Sequence, residues 1–295
     1  GMSTHRLSTT GPGLLADRTA LATLTWLNAA DMRSAFGIDR RLPCSGLADL
    51  LFALPARAFA RQVLTLDAIV GRDGLQAGGA WICGQLSRGV ELRGEPPPLS
   101  GPLLVVANHP GLLDAAALFA SIPRDDLRVL AIARPFLQAL PHIAERLFAV
   151  GATPAARTSA VRAAVRHLRA GGALLSFPAG QIEPDPLSLP GAEATLASWS
   201  QSIDLIARLA GEVTVVPAIV AGVLTPAAVH HPLTRLRRTP ADRRWLAAIL
   251  QLMLPRLQRT TVRVQFGRPI AATGAPLSAA VATEARRLLS EVTRP

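Results

Sequence analysis

Apolar positions in the first hundred residues recur every three or four places. From Leu14 to Arg33 and again from Gly46 to Val70, Leu, Phe, Ala and Val fall on one face of a 3.6-residue repeat, which predicts helices. The rhythm breaks at Glu91–Pro102, where Gly94, Pro96, Pro97, Pro98 and Gly101 mark a linker or surface loop. Beyond it the texture changes. Short apolar runs of strand length (103–107, 127–133, 173–177, 214–223 and 261–266) alternate with segments of helical period at 112–120, 135–148, 156–170, 192–210 and 241–258. A last amphipathic helix is expected at 278–290. Strands alternating with helices of this length predict an α/β layered domain, a mostly parallel sheet flanked by helices, preceded by an N-terminal helical region. The division expected is 1–95 for the helical region and 96–295 for the α/β domain. Pro217 interrupts one of the apolar runs and predicts an edge strand or a bulge there.

Composition narrows the chemistry. Of 295 residues 49% are hydrophobic, enough for a sizeable core, and the net charge is +11. All of the basic side chains are arginine; lysine and tyrosine are absent. A Schiff base, a phosphate-cradling P-loop lysine and a Ser-x-x-Lys acylation site are thereby excluded. Two cysteines, Cys44 and Cys83, are too few for a four-thiolate zinc site and could at most bridge, so a reducing cytoplasm is the expected setting. No signal peptide is expected at the start, and no uncharged apolar run reaches the ~18 residues of a membrane span. A membrane, if met, is met from its surface.

No GxGxxG, HExxH or DxDxDG pattern occurs, and Gly84–Gly89 misses the nucleophile-elbow spacing by one residue. What stands out is Val105-Val-Ala-Asn108-His109-Pro110-Gly111-Leu-Leu-Asp114, a buried strand that ends in Asn-His, turns through Pro-Gly and enters a helix. Strand-to-helix loops of open α/β sheets are where ligand sites collect. A histidine five residues before an aspartate across such a turn can bring imidazole and carboxylate together, leaving the other ring nitrogen to take a proton. The competing reading is a solvated loop histidine, with Asp114 merely suiting a helix start. A second Pro/Gly turn follows the strand at Phe177-Pro178-Ala179-Gly180, where backbone N–H groups could face a ligand oxygen. His142 and His167 fall on predicted helices as surface or interface residues, and His230 and His231 have no metal-spaced partner; no metal site is expected.

Taken in order, these segments resemble the glycerolipid acyltransferases of the 1-acylglycerol-3-phosphate type. Asn108-His109-Pro-Gly-Leu-Leu-Asp114 matches the first motif, and Val150-Gly151-Ala-Thr-Pro-Ala-Ala-Arg157 the second. Phe177-Pro178-Ala179-Gly180-Gln181-Ile182 matches the third, and Val215-Val216-Pro217-Ala218-Ile219 the fourth, while 262–270 is similar to the closing strand. Ala179 and Ile182 stand where the third motif carries glutamate and arginine, a form closer to the hemolysin-like and ornithine-lipid acyltransferase branch. The resemblance implies an O-acyltransferase that moves a fatty acyl group from a thioester, acyl-coenzyme A or acyl carrier protein, to a lysolipid-type hydroxyl. It implies His109 as general base oriented by Asp114, with Asn108, Arg157, Phe177, Pro178 and Gly180 at the substrates, and no cofactor beyond the thioester co-substrate; Arg134, outside these motifs, could join Arg157 in binding an anionic group. A non-catalytic acyl-chain-binding protein and a thioester hydrolase remain open on the same scaffold.

Between residues 230 and 268 there are nine arginines and one acid, Asp242. Inside this stretch Trp245–Leu254 is apolar nearly all round, too short to span a bilayer. It predicts either a helix on an anionic leaflet, at the inner face of the membrane, or a core helix with basic flanks. Nucleic acid is not expected as a partner: aromatics are 4% and no DNA-reading motif is present.

Overall fold

The computed structural model describes residues 12–38, 45–272 and 276–295. Three helices lead: α1 (Pro12–Ala35), α2 (Ser45–Asp73) and α3 (Leu75–Leu86). After them come β1 (Val90–Arg93), β2 (Leu103–Ala107), α4 (Asp114–Ser121), β3 (Arg128–Ile132), the single turns α5 (Pro135–Gln138) and α6 (Pro141–Ala144), β4 (Leu147–Val150), α7 (Pro154–Arg169) and β5 (Ala173–Ser176). The remainder is α8 (Ala192–Thr195), α9 (Ser200–Ala210), β6 (Thr214–Ala221), α10 (Pro226–Val229), α11 (Pro240–Met253), β7 (Val262–Phe266), β8 (Ile270–Ala271) and α12 (Ser278–Val292). Cys44, one half of the bridge the sequence allows, lies outside the described residues, while Cys83 is a buried free thiol.

The strands form one sheet in the order β1-β7-β6-β2-β5-β3-β4, with β8 also on β6. Only β6–β7 and β6–β8 are antiparallel, so the sheet is mostly parallel, and its centre is β2. Alternation sorts each central strand between two layers. Leu103, Val105 and Ala107 of β2 face a cluster with Val63 of α2, Ile82 of α3 and Leu118 of α4. Leu104 and Val106 face the other way, onto Leu168 of α7, Ile203 of α9 and Leu288 of α12. The N-terminal helices therefore share the core of the sheet. Close approach of α3 and α4 is possible because Gly79 has no side chain: a Cβ there would lie 2.4 Å from the Ala116 carbonyl oxygen.

Four expectations need correction. The segment 135–148 is not one helix, because Pro141 holds Leu140 in an extended conformation (φ −110°, ψ 93°), and its last residues become edge strand β4 beside β3. The stretch 192–210 is likewise broken, a 3₁₀ turn at Leu196–Trp199 separating α8 from α9. The presumed linker contains β1, which pairs with β7. Pro217 sits in an interior strand, paired with Val106 of β2. Its carbonyl accepts from Gly267 N–H at 2.8 Å, on the side where β6 changes partner from β8 to β7. The absent proline N–H faces that same gap in the ladder, so no bond is lost.

The Trp245–Leu254 question is also decided. Helix α11 buries Leu246, Ile249 and Leu250 in a cluster with Met32 of α1 and Phe52 of α2, and Ala247 in another with Leu224 and Ala228. It is a core helix with basic flanks. Among the described residues no helix is long and apolar enough to cross a membrane.

Candidate active site

Three loops at the carboxyl ends of the central strands build the site. The first leaves β2 at Asn108, which is buried and spends both amide groups on one residue of β6: Nδ2 donates to the Val220 carbonyl at 2.9 Å, and Oδ1 accepts Val220 N–H at 2.7 Å. Asn108 thus holds the loop to the sheet. His109 follows, and after the Pro110–Gly111 turn Asp114 opens α4, an N-terminal position that suits its charge.

The turn closes the five-residue gap. Nδ1 of His109 lies 2.6 Å from Oδ2 of Asp114. The same carboxylate accepts N–H from Gly111 (3.2 Å) and Ala115 (2.7 Å) and is fully buried. An ionised carboxylate only accepts, so the ring proton sits on Nδ1 and Nε2 carries the lone pair. Among the described residues nothing bonds to Nε2, and the side chain keeps 28% of its surface exposed. Burial acts to lower the affinity of His109 for a proton. The Asp114 charge and hydrogen bond, helped by Glu183, outweigh it against opposition from Arg134, and the imidazole ends above its ordinary pKa.

The second loop leaves β5. Phe177 packs on the imidazole with ring centroids 4.9 Å apart. The turn closes through Gly180 N–H to the Phe177 carbonyl (3.2 Å), with Gly180 at φ +65°, a conformation that favours glycine. Gly180 N–H is therefore occupied; the next two N–H groups, of Gln181 and Ile182, have no acceptor among the described residues. The third loop follows β6 and contributes Val223 and Leu224.

These loops border a cavity of about 450 Å³, within the ~300–1,000 Å³ usual for small-molecule sites. Its walls are apolar and come from both parts of the chain: Phe59 and Val63 of α2, Ile82 of α3, Phe119 of α4, and Leu140 and Ile143 by α6. Among the described residues, His109 and Arg134 are the only ionisable side chains on it. A more open groove of about 700 Å³ runs between α1 and α2, lined by Leu21, Trp26, Arg18 and Arg57, and holds none of the residues above.

Of the residues singled out in the sequence, His109, Arg134, Phe177, Pro178 and Gly180 line the cavity, and Asp114 stands behind the imidazole. Arg157 lies elsewhere, exposed on α7 with a bond to the Ala152 carbonyl. Thr153 caps that helix, accepting Ala156 N–H at 3.1 Å. His230 and His231 bond within their own segment, Nδ1 of His230 to the Pro226 carbonyl and Nδ1 of His231 from Leu233 N–H, while His167 Nε2 lies 2.7 Å from the Asp126 carbonyl and 3.0 Å from that of Ala173. No group of His, Cys, Asp and Glu suited to a metal ion occurs among the described residues. Burial, with the Asp114 charge added, pushes the Cys83 thiol up to about 12, so it stays protonated and inert.

Sequence reasoning missed Glu183 and Asp185, two buried carboxylates in the loop after β5. Their only signal is an acid-Pro-acid-Pro run, Glu183-Pro184-Asp185-Pro186, within an apolar stretch.

No family model matches this chain, and no curated protein does. Among solved structures, the chain is similar to the crystal structure of the 1-acyl-sn-glycerophosphate (LPA) acyltransferase PlsC from Thermotoga maritima, with 19% sequence identity over 96% of this chain and 95% of that one and a TM-score of 0.48.

Proposed function

We propose that the protein is an O-acyltransferase that moves a fatty acyl group from a thioester, acyl-coenzyme A or acyl carrier protein, to the hydroxyl of a lysolipid-type acceptor. The observation that carries this reading is the imidazole of His109, bonded to buried Asp114 through Nδ1 and bare at Nε2, on the wall of an apolar cavity. Neutral His109 takes the acceptor's hydroxyl proton on Nε2 as the oxygen attacks the thioester carbonyl carbon. The carbonyl oxygen becomes the oxyanion, with the N–H groups of Gln181 and Ile182 as its donors. Collapse breaks the C–S bond, and the imidazolium, steadied by Asp114, returns the proton to the departing thiolate. Such general-base assistance is worth on the order of 10²–10⁴ in rate. The acyl chain occupies the cavity, whose near absence of charge suits a hydrocarbon. Arg134 is the cation available there to an anionic group of either substrate.

The membrane surface belongs to the same proposal, with a shift of place. Because α11 is packed, the exposed apolar stripe is on α2: Leu47, Leu50, Leu51 and Leu54, at i, i+3, i+4 and i+7, are 62–79% exposed. Arg57 and Arg61 continue that helix. Arg237, from the arginine-rich stretch, reaches the Ser34 carbonyl at the end of α1, which sets that stretch beside the helical hairpin. Leucines flanked by arginines suit the interface of an anionic leaflet.

The test is incubation with labelled acyl-thioester, with and without lysolipids of differing headgroup, for the wild type and His109→Ala. Acceptor-dependent ester formation that His109→Ala abolishes is expected. Free fatty acid alone would mark a hydrolase, and binding without turnover a carrier. Full activity in a folded His109→Ala variant would remove the mechanism.

A further inference from the structure

Glu183 is 1% exposed and does not line the cavity, so it cannot touch a substrate. Its bonds run to the catalytic loop. Oε2 accepts the backbone N–H of His109 at 2.8 Å, and the N–H of Glu183 donates to the His109 carbonyl at 2.8 Å. Oε1 is held in turn by the Thr195 hydroxyl (2.8 Å) and the Trp199 indole N–H (3.0 Å), from the two helical turns that follow. Two residues on, Asp185 ties the same loop to the one after β6 by accepting N–H from Gly222, Val223 and Leu224. The segment 183–185 therefore fastens all three loops of the site together. Asn108 holds the start of this turn to β6, and at His109 itself both main-chain polar groups are engaged by one residue, Glu183.

We propose that Glu183 is a positioning residue for His109: its buried carboxylate anchors the main chain that carries the imidazole and sets a second negative charge, beside Asp114, against the imidazolium formed in the reaction. This rests on the reading of His109 as general base. Acting on the ring are Asp114 from α4 and Glu183 from the loop after β5, both favouring the charged ring, and Arg134 at the start of α5, opposing it. Burial pushes the Glu183 carboxyl upward, and its bonds from Trp199, Thr195 and His109 pull it back toward the charged form. An apolar side chain could fill this site without that desolvation, but it could not hold the His109 N–H.

Glu183→Gln keeps the length and an acceptor oxygen and removes the charge. In the full chain, kcat should fall roughly ten- to hundredfold, the loss a misplaced catalytic group produces, with KM for the thioester unchanged. The acid limb of the pH–kcat profile should move to lower pH, and the NMR titration of the His109 ring, read without substrate, should move the same way. A folded Glu183→Gln with wild-type kcat, or with lowered kcat but an unmoved limb and titration, overturns the proposal. The ring titration needs no turnover, so it judges Glu183 even where His109→Ala proves active and the mechanism above fails. Where the variant does not fold, exchange of the wild-type His109 amide decides: slow exchange supports the anchor, and exchange at the rate of an open loop overturns it.

Discussion

Replacing Asp185 with asparagine tests whether the site loops are held by charge-accepting bonds. The change is isosteric, so no cavity opens and the effect is one of hydrogen bonding. In the wild type Oδ1 accepts N–H from Leu187 (2.9 Å) and Gly222 (3.0 Å), and Oδ2 accepts from Val223 (2.7 Å) and Leu224 (3.0 Å), all at a fully buried carboxylate. Asparagine offers one oxygen and one NH₂. Whichever way its amide turns, two of the four N–H groups face donors instead of an acceptor. A buried unsatisfied donor costs about 1–3 kcal/mol, so two cost about 2–6 kcal/mol. Burial pushes the Asp185 carboxyl above its usual range, with the four N–H groups pulling it back, so loss of the charge recovers part of this and sets the expectation toward the lower end. Even ~2 kcal/mol is a large part of the ~5–15 kcal/mol that holds a domain folded. Urea unfolding followed by tryptophan fluorescence should show the midpoint falling by ~1 M at unchanged slope. A folded Asp185→Asn whose midpoint lies within ~0.3 M of the wild type would refute the four-bond account.

Three further outcomes follow from the geometry. Activity needs neutral His109, and its raised pKa places the acid limb of the rate profile above the pH at which an ordinary histidine titrates; activity should be present above that point and lost as pH falls through it, which a stopped assay across the pH range would read. Leu137→Trp narrows the cavity and should shift preference toward shorter acyl chains, seen in competition between thioesters of different length; an unchanged ranking would place the chain elsewhere. Leu50→Glu with Leu54→Glu should weaken binding to phosphatidylglycerol vesicles at least ~tenfold, since a buried leucine contributes ~1.5–3 kcal/mol, whereas Arg235→Glu with Arg238→Glu should remove only a salt-sensitive part at ~1 kcal/mol per basic residue. Unaltered vesicle binding in the leucine variant would exclude α2 as the contact.

Local pattern was enough for much of this molecule. Apolar runs bounded by Pro and Gly placed β2, β5, β6 and β7 to within a residue or two at most ends, because a strand buried on both faces must be apolar throughout. The pairing of His109 with Asp114 was legible too, since five residues across one turn are a local matter. The breaks at Pro141 and Leu196 were not, because apolar spacing ran on across them and the backbone did not.

What only tertiary structure decided is who meets whom at long range. Periodicity marks a helix face as buried without naming what buries it, so it could not tell that α2 and α3 wall the cavity, or that α11 packs under the hairpin and leaves the leucines of α2 in the open. Nor could it link Glu183 to His109, 74 residues away, or Asp185 to Gly222, Val223 and Leu224. A charged residue in a loop reads as solvated until the fold withdraws the water and supplies buried donors in its place.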